Sequence, residues 1–296
     1  MTYCVAMSLD EGLIFLSDSR TNAGVDHVGV FRKMTVFENP GERMLVLMSA
    51  GNLAISQSIR QLISDHSSHN GKTIWNASSM YEAAQVVGEA VRAVYDRDAK
   101  SLGNFGIDFN VSMILGGQIG GEPCRLFQIY SAGNFIESQS ETPYLQIGEA
   151  KYGKPILDRV ISPAMPLDEA AKCALISMDS TLRSNISVGL PLDLLVYQAG
   201  TLAVTRFVNI DDDNQYFNMI RNTWGQQLKR VFDSMADPVW NAAPEITSNV
   251  LSKHNAHNNK PLRMAAPPAQ LRNDIDPMPL QTLAQAPDSS HPSVSA

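Results

Sequence analysis

Three residues near the start of the chain have the side chains needed to activate a hydroxyl: Thr2, Asp18 and Lys33. Methionine is removed when the second residue is small, which would leave Thr2 first. A terminal threonine holds a nucleophile and a base together, the Oγ hydroxyl and the α-amine. That amine titrates near about 7.7–8.0, so it can take the hydroxyl proton directly or through one water. The letters Met-Thr carry little alone. Their neighbours carry more. The apolar runs at residues 2–9 and 12–18 are split by Asp10-Glu11-Gly12, a hairpin signature. A three-residue loop would turn Thr2 and Asp18 to one face of the sheet, and a two-residue loop to opposite faces. Same-face neighbours come within roughly 4.5–8 Å. The run VFRKMTVFE alternates, with Phe31, Lys33, Thr35 and Phe37 on one face and Arg32, Met34 and Val36 on the other. A lysine on an apolar face needs a partner, and Asp18 is the obvious one. The pair reads equally as an activating pair or as a structural ion pair at a sheet edge.

The elements that must position these residues follow in order. Asn39-Pro40-Gly41 is a turn, and RMLVLMSAG reads as a strand buried on both sides. Helices are predicted over 52–67 and 80–100, the second opened by Ser79 and Glu82 at capping-box spacing. Strands are predicted at 108–118, 123–131 and 143–147, punctuated by Gly116-Gly117 and Gly120-Gly121. Helices follow at 149–161 and 168–182, strands at 193–199 and 202–209, and a helix at 213–236. Sheets covered by helices are the economical packing of this order. No aromatic residue follows Trp240, and proline, serine, asparagine and glutamine dominate 249–296. That composition predicts a disordered tail.

Composition narrows the function. The 296 residues carry 30 acidic and 23 basic side chains, a net charge of -7. Nucleic acid is excluded as the main partner, because phosphate binding needs a basic footprint. Cys4, Cys124 and Cys173 are scattered and odd in number, which supports neither a disulfide framework nor a zinc site. His66 and His69 sit in a polar run without metal spacing. No cofactor or metal is expected. Neither a signal peptide nor an 18-residue apolar span is seen, so a cytoplasmic protein with no membrane partner is expected.

Taken together, Thr2, the runs Ser17-Asp18-Ser19-Arg20-Thr21-Asn22, Phe31-Arg32-Lys33 and Ser49-Ala50-Gly51-Asn52, the block IGEAKYGKPILDR (147–159) and Ser184–Gly189 resemble the Anbu family. Anbu, the ancestral β subunit, is a bacterial relative of proteasome β subunits among the N-terminal nucleophile hydrolases. The resemblance covers about residues 2 to 235. It implies an α+β fold, a four-layer αββα sandwich, with a hydrolase domain over 2–248 and the tail beyond it. It implies peptide or other amide hydrolysis in a homo-oligomer, as a closed or an open stepped ring. Thr2 would be nucleophile and base, Lys33 would lower the pKa of its hydroxyl or shuttle its proton, and Asp18 would hold Lys33. Gly51 would offer its N–H to the oxyanion, Thr21 would pair with an extended peptide, and Ser49 and Leu53 would shape the pocket for the residue before the cut.

The sequence also departs from the proteasome pattern. Gly148-Glu149-Ala150 stands near the Gly-Ser-Gly run of proteasome subunits. Ser184 stands where they have an Asp, with Ser187 keeping the later serine as part of the catalytic set. Two other readings therefore stay open, a self-assembling scaffold with little turnover and a hydrolase of some special amide. No GxxxxGK[ST] run is present, so any unfolding work would fall to a separate partner.

Overall fold

The computed structural model describes residues 2–23, 27–64 and 71–238. Met1–Met235 forms one compact unit; of Ala236–Ala296 only residues 236–238 are described. The predicted tail at 249–296 and the pair His66 and His69 lie outside the described residues, as does the end of the first predicted helix.

Among the described residues the chain forms twelve strands and five helices, a mixed α+β fold with antiparallel sheets. In order they are β1 (Tyr3–Leu9), β2 (Gly12–Asp18), β3 (Arg20–Ala23), β4 (His27–Val30), β5 (Met34–Asn39), β6 (Arg43–Gly51), α1 (Leu53–Ser64) and α2 (Met80–Asn104). Then come β7 (Val111–Ile119), β8 (Arg125–Ile129), β9 (Phe135–Glu137), β10 (Tyr144–Gly148), α3 (Lys154–Val160), α4 (Leu167–Ser184), β11 (Leu192–Gln198), β12 (Arg206–Ile210) and α5 (Gln215–Ser234). One five-stranded sheet runs β10-β1-β2-β11-β12 and the other β5-β6-β7-β8-β9, with β3 and β4 a separate ribbon.

Three apolar clusters hold these elements. One joins alternate residues of both five-stranded sheets, among them Cys4, Ala6, Phe15, Met48, Ile114 and Leu126. A second joins the opposite residues of β1 and β2, such as Tyr3, Val5 and Leu16, to α3, α4 and α5. The third joins Leu45, Leu47, Leu115 and Phe127 to α1 and α2. β6 is thus buried on both sides, as its unbroken apolar run implies. Ser79 caps α2 by accepting from the Glu82 N–H at 3.0 Å. The Glu82 carboxylate bonds the Ser78 amide rather than completing a capping box.

Several expectations are corrected. The first hairpin loop is Asp10-Glu11 alone, because Gly12 pairs with both Leu9 and Gln198. A Cβ on Gly12 would lie 2.0 Å from the Tyr197 carbonyl oxygen, so only glycine lets the chain enter the ladder there. Cys4 then faces Ser17, and Thr2 and Asp18 fall on opposite faces of the sheet. Lys33 precedes β5 instead of lying within a strand. Gly116-Gly117 sits inside β7 rather than at a break; the Phe15 ring of the other sheet fills the space over Gly116. The helix expected over 149–161 begins only at Lys154, and the strand expected at 202–209 at Arg206.

Candidate active site

The ends of several elements meet beside Thr2. Thr2, Thr21, Lys33, Ser49, Gly51 and Leu53 all line one pocket of about 400 Å³. Thr2 is half-buried just before β1, Thr21 lies on β3, Ser49 and Gly51 end β6, and Leu53 opens α1. Lys33 is fixed by the segment it ends. The Phe31 N–H donates to the Ser19 carbonyl at 2.7 Å, and the Ser49 N–H donates to the Lys33 carbonyl at 3.1 Å.

Asp18 stands behind Lys33. It is the last residue of β2 and wholly buried, and its Oδ1 accepts from Lys33 Nζ at 2.6 Å. The same oxygen accepts the Tyr3 N–H at 3.0 Å, and Oδ2 accepts the Gly189 N–H at 3.3 Å. At the strand end the carboxylate thus reaches Lys33 although the register turns Asp18 away from Thr2. Burial pushes the Asp18 carboxyl above the ordinary carboxylate range, while the Lys33 ammonium and the two amides oppose that rise. The nearby thiol of Cys4 is fully buried, and burial pushes it far up, so it is no rival nucleophile.

Two glycines shape the site. Gly51 has φ +107°, and a Cβ there would lie 2.4 Å from the Asn110 carbonyl oxygen. Gly148 has φ +84°, and a Cβ there would meet the Thr2 carbonyl oxygen at 1.9 Å. That close passage lets the Glu149 N–H donate to the same Thr2 oxygen at 2.7 Å.

The structure places the remaining candidates apart from the pocket wall. Ser184 is exposed at the end of α4. Its neighbour Asn185 is buried, and its Nδ2 donates to Glu149 Oε2 at 3.2 Å. Ser187 does not line the pocket; its N–H donates to Asn185 Oδ1 at 3.0 Å. Glu149 is itself 9% exposed. Glu149 therefore meets Thr2 through its backbone N–H, while its carboxylate accepts from Asn185 Nδ2 and from the Lys151 N–H at 3.3 Å. Sequence reasoning missed it, because only the left-handed turn at Gly148 brings it there. Arg20, Asn110 and Ser112 also line the pocket and were missed.

No protein-family model matches the chain, and no curated protein is significantly similar to it. Solved structures are. Anbu (ancestral beta-subunit) from Yersinia bercovieri is 53% identical, with a TM-score of 0.76, over 81% of this chain and 100% of that one. A Gly-1 mutant of Anbu from Hyphomicrobium sp. strain MC1 is 49% identical, with a TM-score of 0.76 and the same coverage. A structure described as the helical assembly of the Anbu complex from Pseudomonas aeruginosa is 47% identical, with a TM-score of 0.77, again over 81% and 100%. With identity at this level over the full length of each relative, and with its sheets, hairpins and helices in the same arrangement, the chain belongs to the Anbu family of proteasome-β-like proteins.

Proposed function

We propose that this chain is a threonine-type N-terminal nucleophile hydrolase that cleaves peptide or other amide bonds. The observation that carries the reading is the common pocket of Thr2, Lys33 and Gly51, with Asp18 at 2.6 Å behind Lys33. Once Met1 is removed, the Thr2 amine takes the Oγ proton as Oγ attacks the carbonyl carbon. Lys33, held in place by Asp18, favours the forming alkoxide. The Gly51 N–H faces the oxyanion. The amine then protonates the leaving nitrogen, the C–N bond breaks and an ester remains on Oγ. Water attacks the ester, gives its proton to the amine, and releases the carboxylic acid and free Thr2. Glu149 and Asn185 take over the positioning work that Ser184, being exposed, cannot do.

The remaining parts of the reading follow from the family. The two sheets and their helices stack as a four-layer αββα sandwich in a domain spanning 2–248. The subunits assemble as a homo-oligomer, as the description of the Pseudomonas aeruginosa relative suggests for that protein. Among the described residues no helix is long and apolar enough to cross a membrane.

The test begins with intact mass, which must show a chain starting at Thr2. A threonine-directed peptide electrophile should then form an adduct at Thr2 that Thr2→Ala abolishes, and a peptide library should show cleavage that the same change removes. Adduct without cleavage points to a special amide as substrate. A chain that starts at Thr2 yet gives neither signal is a scaffold.

A further inference from the structure

The pocket beside Thr2 is built for a charge that the rest of the protein does not favour. The chain carries a net charge of -7, yet among the described residues no carboxylate lines this pocket. Small polar residues line it, with Ser49 and Ser56 on the α1 side, Ser112 on the opposite face of the sheet beside Ala50, and Asn110 next to Gly51. Among the described residues, no hydrogen bond engages the hydroxyls of Ser49 and Ser112, which leaves them for an occupant.

A slot of only about 10 Å³ adjoins the same wall, sharing Phe31, Lys33, Ser49 and Ser56 with the pocket, and Arg60 lines it, so a side chain in the pocket meets Arg60 at the mouth of the slot. Arg60 lies one helical turn after Ser56 on α1, and its guanidinium sits over the Phe31 ring at 5.8 Å. The other slot cations are already matched: Lys33 by Asp18 at 2.6 Å and Arg32 by Asp193 at 3.4 Å. Among the described residues no carboxylate lies within 4.0 Å of Arg60. Its N–H groups are the donors with which an arginine binds a carboxylate.

We infer that this pocket takes an acidic side chain, with Arg60 as its specificity-determining residue, so that the preferred substrate carries glutamate or aspartate immediately before the cleaved amide. The inference rests on the proposed hydrolase reading for the placement of the cut, but the binding preference does not need the chemistry. A carboxylate entering past Ser49 accepts from its hydroxyl and meets the Arg60 charge, whereas leucine buries that hydroxyl unpaired. A lysine meets a cation.

The experiment measures binding in Thr2→Ala, where no reaction can occur. Acetyl tripeptide amides ending in Glu, Gln, Leu or Lys are titrated calorimetrically into the full-length assembly at low salt. The Glu peptide should bind at least roughly tenfold tighter than the other three, the worth of one charge-assisted hydrogen bond. Arg60→Gln should erase that preference, Arg60→Lys should keep part of it, and added salt should weaken the Glu peptide alone. Equal or tighter binding of Gln, Leu or Lys overturns the inference, as does binding of none of the four, or a Glu preference unchanged in Arg60→Gln. Failure of the hydrolase reading shows up elsewhere, as a missing adduct in the Thr2 chain.

Discussion

Removing the Lys33 charge while keeping its bulk, as Lys33→Met, leaves Asp18 buried with two amides and no cation. Lys33 is 8% exposed and Asp18 0%, so solvent cannot replace the lost partner. Breaking a buried pair from one side costs about 3–5 kcal/mol. In a unit of this size each kcal/mol lowers Tm by about 2–4 °C, so the variant should melt about 6–20 °C below the parent. The Tyr3 and Gly189 amides still serve the carboxylate, which favours the lower half of that range. The deficit must also depend on pH. Burial already raises the Asp18 carboxyl, and loss of Lys33 raises it further. A group whose folded pKa lies above its unfolded value stabilises the fold below the unfolded pKa of about 3.9, and loses that contribution as pH rises through the folded value. The Tm gap should therefore widen as pH rises above the unfolded carboxylate value and Asp18 is forced to ionise unpaired. Scanning calorimetry at matched protein concentration reads it, since assembly also moves Tm. Adding Asp18→Asn to Lys33→Met should recover most of the loss. A gap below about 2 °C, or one that does not change with pH, would refute the claim that Asp18 depends on Lys33.

Three further outcomes follow from the site. Gly148→Ala should lower stability by at least about 1–3 kcal/mol from backbone strain and abolish adduct formation, because the new methyl overlaps the Thr2 carbonyl; urea unfolding and labelling check both. Glu149→Gln should leave Tm within a few degrees, because Gln can still accept from Asn185. Tyr3→Phe should cost about 1–3 kcal/mol in urea unfolding, because the Tyr3 hydroxyl joins Ser177 Oγ and Gln146 Nε2, each at 2.6 Å, in a buried setting.

What the residues revealed in advance depended on how local the determining forces are. β6 was legible because Met44 to Ala50 is buried on both faces and needs no polar alternation. α2 was legible from Ser79 and its periodic alanines and valines. The β3–β4 ribbon was not, because each strand has only 4 residues, and Arg20–Ala23 carries a single apolar side chain. β9 has three residues, too few for any period. The loop length of the first hairpin was invisible because it depends on the Tyr197 backbone pressing on Gly12, a contact 185 positions away in the chain. In the site, the residue types at Thr2, Asp18 and Lys33 suggested their chemistry, and the pocket brings Thr2 and Lys33 together as expected. Which of Ser184 and Asn185 stands in for the proteasome Asp was not legible, because it depends on where α4 ends: the helix stops at Ser184, which is exposed, and Asn185 is buried.

The Asp18 carboxylate is bonded at once to the start of β1, to the lead-in of β5 and to the link between α4 and β11. These three segments are far apart in sequence, and one buried carboxylate is the knot that ties them. On the proposed hydrolase reading, a reactive Thr2 thus reports that all three segments have closed, because the group that ties them together is also the group that holds the lysine.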